Sequence, residues 1–210
     1  TRLHANELPW RVDGDGTAAG LNRYPEPQPP ALVQGLARLY GVAPNQVLVG
    51  RGSDEAIDLL LRVYCRAGVD NVIICPPTFG MYGVAARIQG AEVRAVPLLA
   101  DAGFALDEQA LLARVDENTK LVFVCSPNNP TGGVLSPSDV DRLCGEGDGL
   151  VVVDEAYHEF SGQTVVPLLA RHQNLVVLRT FSKAMGLAGL RIGYLLASPE
   201  LVREINKARL

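Results

Sequence analysis

Lysine is almost missing from this 210-residue chain: of its 19 basic side chains, only Lys120, Lys183 and Lys207 are lysine. Histidine is as sparse, and His4, His158 and His172 lie too far apart in sequence to suggest a shared metal ion. The four cysteines, Cys65, Cys75, Cys125 and Cys144, form no CxxC pair, so neither a metal site nor a disulfide framework is expected. Cys75 and Cys125 close apolar runs, where a free thiol behaves as a small hydrophobe. No apolar run approaches the roughly 20 residues that a membrane helix needs. The segment Thr1-Arg2-Leu3-His4-Ala5-Asn6-Glu7 has no apolar signal core and no initiator Met, so a processed, trimmed or incompletely represented chain is expected. Basic excess is absent too. The net charge is −4 with both signs interspersed, which argues against a nucleic-acid partner. Reduced thiols and the lack of a targeting segment point to the cytoplasm.

What the chain does have is apolar content, 48% of it, enough to bury a substantial core. Residues 1–30 carry Pro25, Pro27, Pro29 and Pro30 and no sustained period, so they read as an extended N-terminal arm. Residues 31–210 read as one large domain. Leu32-Val33, Leu36 and Leu39-Tyr40 recur at helical spacing, and Gly41 ends that helix. Beyond it, seven apolar runs are predicted as strands: 46–49, 71–75, 92–96, 121–125, 150–153, 175–178 and 191–196. Amphipathic stretches at 54–64, 81–89 and 107–115 are predicted as helices between them, and 200–210 starts another. Uniformly apolar strands joined by helices predict an α/β three-layer sandwich around a mostly parallel seven-stranded sheet. The last run follows its preceding loop too closely for a long crossover helix, which marks it as the antiparallel member.

Ligands of such a sheet bind beyond the carboxyl ends of its strands, so the polar residues after each run are the ones to weigh. After Val49 comes Gly50-Arg51-Gly52-Ser53-Asp54-Glu55, opening a helix whose free N–H groups suit a phosphate. Equally, Ser53 could be a plain N-cap with Asp54 and Glu55 as first-turn acids. Phe79, on the proline-stiffened turn Pro76-Pro77-Thr78, could stack on a flat ring or simply pack. Ser126-Pro127-Asn128-Asn129-Pro130-Thr131-Gly132 is a turn by composition, from which the Asn129 amide could donate to a phenolate-like oxygen. Val151-Val152-Val153 runs into Asp154-Glu155-Ala156-Tyr157. An acid ending a fully apolar strand is costly unless paired, and a protonated pyridine nitrogen would pair it and become an electron sink. Mg²⁺ could pair it as well, but no GxxxxGK[ST] loop accompanies it. Tyr157 could set its hydroxyl near the same ring.

The last motif is Thr180-Phe181-Ser182-Lys183-Ala184-Met185-Gly186-Leu187-Ala188-Gly189-Leu190-Arg191. Lys183 can form a Schiff base with an aldehyde, whereas Thr180, Ser182 and Arg191 offer hydroxyls and a planar fork to phosphate. Lys120 precedes a strand and Lys207 shares a helix with Arg203 and Arg209, so neither competes for that role. A reactive lysine beside a phosphate pocket is what pyridoxal phosphate requires.

Taken together with Leu21-Asn22-Arg23-Tyr24-Pro25-Glu26, these motifs resemble the fold-type-I pyridoxal-phosphate enzymes of aminotransferase class I/II, over nearly the whole chain from His4 onward. The resemblance implies Lys183 as the cofactor-bearing lysine and acid/base, and Asp154 as partner of the pyridine nitrogen. It implies Asn129 and Tyr157 on the ring hydroxyl, and Phe79 stacked on the ring, where this family more often has Tyr. Ser53 and Asp54 backbone N–H groups, Thr180, Ser182 and Arg191 would hold the phosphate. Tyr24 would reach the phosphate of a second subunit, so a homodimer is implied, with small amino-acid and oxo-acid substrates. A narrower likeness, to members acting on histidinol phosphate, implies amino transfer to 2-oxoglutarate in histidine biosynthesis. An aromatic aminotransferase, a threonine-phosphate decarboxylase and a non-catalytic pyridoxal-phosphate-binding regulatory domain stay open beside it. The family pattern continues into a small C-terminal domain bearing the arginine for the substrate carboxylate, and these 210 residues end before it.

Overall fold

A computed structural model describes residues 6–17 and 20–209. Thr1, Arg2, Leu3, His4 and Ala5, named above, and the last residue of the 200–210 stretch lie outside the described residues. The seven strands are β1 (Val47–Gly50), β2 (Asn71–Ile74), β3 (Glu92–Ala95), β4 (Thr119–Cys125), β5 (Leu150–Asp154), β6 (Leu175–Thr180) and β7 (Gly193–Ala197). They form one sheet in the order β1-β7-β6-β5-β4-β2-β3. β3, β2, β4, β5 and β6 are mutually parallel, while β7 runs antiparallel to both β6 and β1. The expected antiparallel strand is therefore the last one, as read from its short connection.

The helices are α1 (Pro30–Tyr40), α2 (Ser53–Tyr64), α3 (Met81–Gln89), α4 (Glu108–Leu112), α5 (Pro137–Glu146), α6 (His158–Ser161) and α7 (Pro199–Lys207). Alternation along each strand divides the core in two. Val122 and Val124 of β4 pack with Leu36 of α1, Leu111 of α4 and Val140 and Leu143 of α5. Leu121, Phe123 and Cys125 face the opposite way, onto Leu60 of α2, Tyr82 of α3 and Ile205 of α7. Both faces of the sheet are covered, which is why residues 121–125, 150–153 and 175–178 of its central strands are apolar throughout.

Four readings need adjustment. α1 begins at Pro30, one residue inside the segment expected to be arm, because proline is tolerated at the first helical position. α4 is shorter than the 107–115 stretch: Asp107 caps it by accepting the Ala110 N–H, and it ends at Leu112. α5 was not anticipated, although Ser136 and Asp139 bond each other's backbone N–H in a capping box with Pro137 at the first turn. The N-cap of α2 is Gly52, at φ +85°, and Ser53 is the first helical residue. The plain-cap reading of Ser53 is thus set aside.

Candidate active site

The carboxyl ends of β4, β5 and β6 and the start of α2 converge on one cavity. The loop from β1 contributes Gly52, Ser53 and Asp54; the turn before α3 contributes Phe79; the turn after β4 contributes Asn129. β5 and its exit bring Asp154, Ala156 and Tyr157, and β6 with its exit brings Thr180, Ser182, Lys183 and Arg191. Every site residue inferred from sequence lies on this wall except Tyr24, which is 70% exposed on the N-terminal arm, its backbone N–H held by Glu7 Oε1 at 2.7 Å. Gly52, Cys125 and Ala156 line the cavity without having been singled out.

Asp154 forms the buried end. Only 3% exposed, it accepts the Tyr82 hydroxyl at Oδ2 (2.7 Å) and the Ala156 N–H at Oδ1 (3.0 Å). Burial pushes its carboxyl above the usual carboxylate range, the charges of Asp54 and Glu155 push the same way, and the two hydrogen bonds oppose them. The Cys125 thiol beside it is pushed up to about 12, chiefly by burial, and so stays protonated at neutral pH.

The opposite end suits an anion. α2 is 12 residues long, and no side chain caps its N-terminus. Its acids do not crowd that position. Glu55 folds back to accept the Arg51 N–H at 2.6 Å and its guanidinium at 3.1–3.2 Å, while Asp54 Oδ2 lies 3.5 Å from Arg191 Nη2. Arg191 takes φ +50° and reaches Ser182 Oγ at 3.5 Å. Two glycines make this approach possible. A Cβ on Gly52 would lie 3.0 Å from Arg191 Nη2, and one on Gly193 would collide with the backbone of Gly52 and Ser53.

Lys183 stands at the mouth, exposed, its Nζ 5.5 Å from the centroid of the Tyr157 ring. The other lysines are engaged elsewhere: Lys120 Nζ donates to Glu117 O at 2.7 Å, and Lys207 Nζ pairs with Glu204 at 2.6 Å. The two asparagines after β4 divide their work. Asn128 is buried and ties the turn, donating to Pro77 O and Thr131 Oγ1 and accepting from Thr78 Oγ1, whereas Asn129 lines the cavity.

A larger cavity of about 520 Å³ lies on the other face of the sheet, between β4, residues 98–106 and α5. It holds no lysine or histidine, and its Arg142 is spent on Glu108 (2.7 Å) and Asp139 (2.8 Å). Lys183, the buried Asp154 and the uncapped start of α2 all line the smaller one.

The sequence pattern of the family described as aminotransferase class I and II matches residues 10–209, and the chain belongs to that family. Among its relatives, the histidinol-phosphate aminotransferase of Xylella fastidiosa is 50% identical over 99% of this chain and 58% of its own length. The structure of histidinol-phosphate aminotransferase from Sinorhizobium meliloti, in complex with pyridoxal-5'-phosphate, superposes with a TM-score of 0.81 at 32% identity, covering 89% of this chain and 51% of that one. L-threonine-O-3-phosphate decarboxylase from Porphyromonas gingivalis superposes at 0.74 with 29% identity, over 89% of this chain and 55% of that one. The chain thus spans little more than half the length of these proteins.

Proposed function

We propose that this chain is the cofactor-binding part of a pyridoxal-phosphate-dependent aminotransferase that moves amino groups between histidinol phosphate and 2-oxoglutarate. The observation that carries the reading is the cavity itself, which sets a buried carboxylate, a lysine and an anion cradle around one space. The donor set fits the cofactor. A phosphate suits the uncapped start of α2 and the Arg191 guanidinium, and Gly52 leaves free the space that a side chain would fill. The choice of substrates follows the name of the relatives.

Bound pyridoxal phosphate supplies an aldehyde that takes up amines and a ring that accepts electrons. Each residue then has a task. Asp154 holds the proton on the ring nitrogen, a charge-assisted bond of about 1.5–3 kcal/mol. Asn129 and Tyr157 bond the ring hydroxyl, and Phe79 stacks on the ring face. The N–H groups of Ser53 and Asp54, with Thr180, Ser182 and Arg191, grip the phosphate. Lys183 anchors the aldehyde and moves the proton at the substrate α-carbon. Tyr24 of a second copy completes the phosphate grip, giving a homodimer. In this reading residues 1–30 are the arm, residues 31–210 the large domain, and a small C-terminal domain of the whole protein brings the arginine for the substrate carboxylate. Small amino-acid and oxo-acid substrates and a cytoplasmic setting complete the reading. No described helix is long and apolar enough to cross a membrane.

Borohydride reduction of the cofactor-loaded chain followed by peptide mapping should put the label on Lys183. Lys183→Ala should lose the label, and amino transfer should fall by about 10²–10⁴-fold or more. A label on Lys120 or Lys207, or one that survives Lys183→Ala, would overturn the assignment. Likeness to the Porphyromonas gingivalis decarboxylase supports a second reading. Carbon dioxide released from phosphothreonine, with no glutamate formed from 2-oxoglutarate, would select it.

A further inference from the structure

Tyr82 lies behind the cavity wall and touches two residues that form it. It is completely buried in the core beneath α3. Its ring stacks on Phe123 with centroids 4.9 Å apart and planes 7° from parallel, and it meets Phe79 edge-on at 5.6 Å and 79°. Phenylalanine would fill that slot without the cost of burying a hydroxyl. The hydroxyl donates to Asp154 Oδ2 at 2.7 Å and also meets the Cys125 thiol. With Oδ1 held by the Ala156 N–H, the carboxylate is tied at both oxygens and cannot rotate, and lone pairs remain for a further donor.

We propose that Tyr82 is a positioning residue of this site, its clamped phenol fixing the Asp154 carboxylate in the orientation from which it meets the ring nitrogen of the cofactor. The proposal rests on the pyridoxal-phosphate reading above. The electrostatics agree with it. The groups facing Asp154 are Asp54 from α2, the adjacent Glu155, the neutral Cys125 thiol of β4 and Tyr82 of α3. Burial and both acids favour the protonated carboxyl, and Tyr82 leads the opposition to them. The phenol itself is pushed well above its usual range, first by burial and then by Asp154, so it remains a donor.

The test compares the unaltered chain with Tyr82→Phe, each loaded with pyridoxal phosphate. Three quantities are measured: cofactor affinity, the pH midpoint of the bound cofactor's visible absorbance, and the melting temperature of the unloaded protein. Losing one hydrogen bond to a charged group should weaken cofactor binding by about 10- to 150-fold. The midpoint should rise by roughly half a unit to one unit, because a less cationic ring withdraws fewer electrons. Phe123→Leu, which keeps the hydroxyl and loosens its clamp, should give a smaller rise. In an Asp154→Asn background Tyr82→Phe should shift neither quantity further. An unaltered chain that binds no pyridoxal phosphate would overturn the cofactor reading and this proposal with it. Binding by the unaltered chain, with midpoint and affinity unchanged in Tyr82→Phe, would overturn the proposal alone. So would equal shifts in the Asp154→Asn background, since the tyrosine would then act on packing.

Discussion

Asp154 and Glu155 are neighbours in sequence, yet the alternation of an extended chain sends them to opposite faces of the sheet, and the two faces treat their carboxylates differently. Glu155 is met by Arg179, itself fully buried, whose Nε donates at 2.8 Å; Thr164 Oγ1 and the Val165 N–H complete its shell. Arg179 also reaches Thr164 and the Tyr40 hydroxyl, which shares a 2.6 Å hydrogen bond with Tyr194, and it lies 4.9 Å over the Tyr40 ring. Asp154 takes its bonds from neutral donors, Tyr82 and Ala156. One acid has its charge cancelled within the framework. The other meets no counter-charge in the framework and faces the cavity. The difference separates a carboxylate that holds β5 to β6 from one that can act on a ligand, and burial alone would not have distinguished them.

The sharpest way to break the contrast is to strand Arg179. Glu155→Ala leaves a buried guanidinium without its counter-charge and should cost about 3–5 kcal/mol in urea unfolding. Asp154→Asn should act in the opposite direction on the cofactor-free chain. A carboxyl whose folded value is raised lends its stability fully below the unfolded value of about 3.9 and loses it as pH rises through the folded value. The Asn variant lacks this loss, so unfolding curves taken from pH 3 to 8 should show it gaining stability relative to the unaltered chain as pH rises. A difference that shrank with rising pH would contradict the raised value. The smallest effects belong to two serines at helix starts. Ser136 accepts the Asp139 N–H, so Ser136→Ala should cost about 1 kcal/mol. Ser53 caps nothing and would offer phosphate its backbone N–H, so Ser53→Ala should stay within about 0.5 kcal/mol in thermal unfolding and leave phosphate retention unchanged.

The strands were legible because central parallel strands are apolar on both faces, and that pattern survives without any knowledge of neighbours. The cavity was legible for a related reason: polar residues that follow such runs share one edge of the sheet. What the sequence could not convey was which of two adjacent side chains faces inward. Asn128 and Asn129 have the same chemistry, and only the turn's hydrogen bonds separate the tether from the cavity wall. Tyr82 follows Phe79 by three residues, but its bond to Asp154 spans 72 residues and depends on how α3 seats against β4 and β5. α5 escaped because it is rich in polar residues, although its cap from Ser136 to Asp139 was there to be read. Arg179 was not singled out, because its burial rests on Glu155 and Tyr40, which are distant in sequence.

The antiparallel β7 also sets a timetable. β1 pairs with β7 alone, Val47 lying opposite Leu196, so the first strand made has no sheet partner until residues 193–197 have been synthesised. Gly193, where β7 begins, packs against Gly52 and Ser53, and the loop just before it brings Arg191 to the same place. The anion cradle is therefore assembled from the two ends of a long sequence interval, by the slowest class of contact a chain can make. A nascent chain halted before residue 193 would carry every cradle residue but not the β1–β7 pairing that seats Arg191 beside Gly52, and phosphate capture would mark the moment the sheet closes.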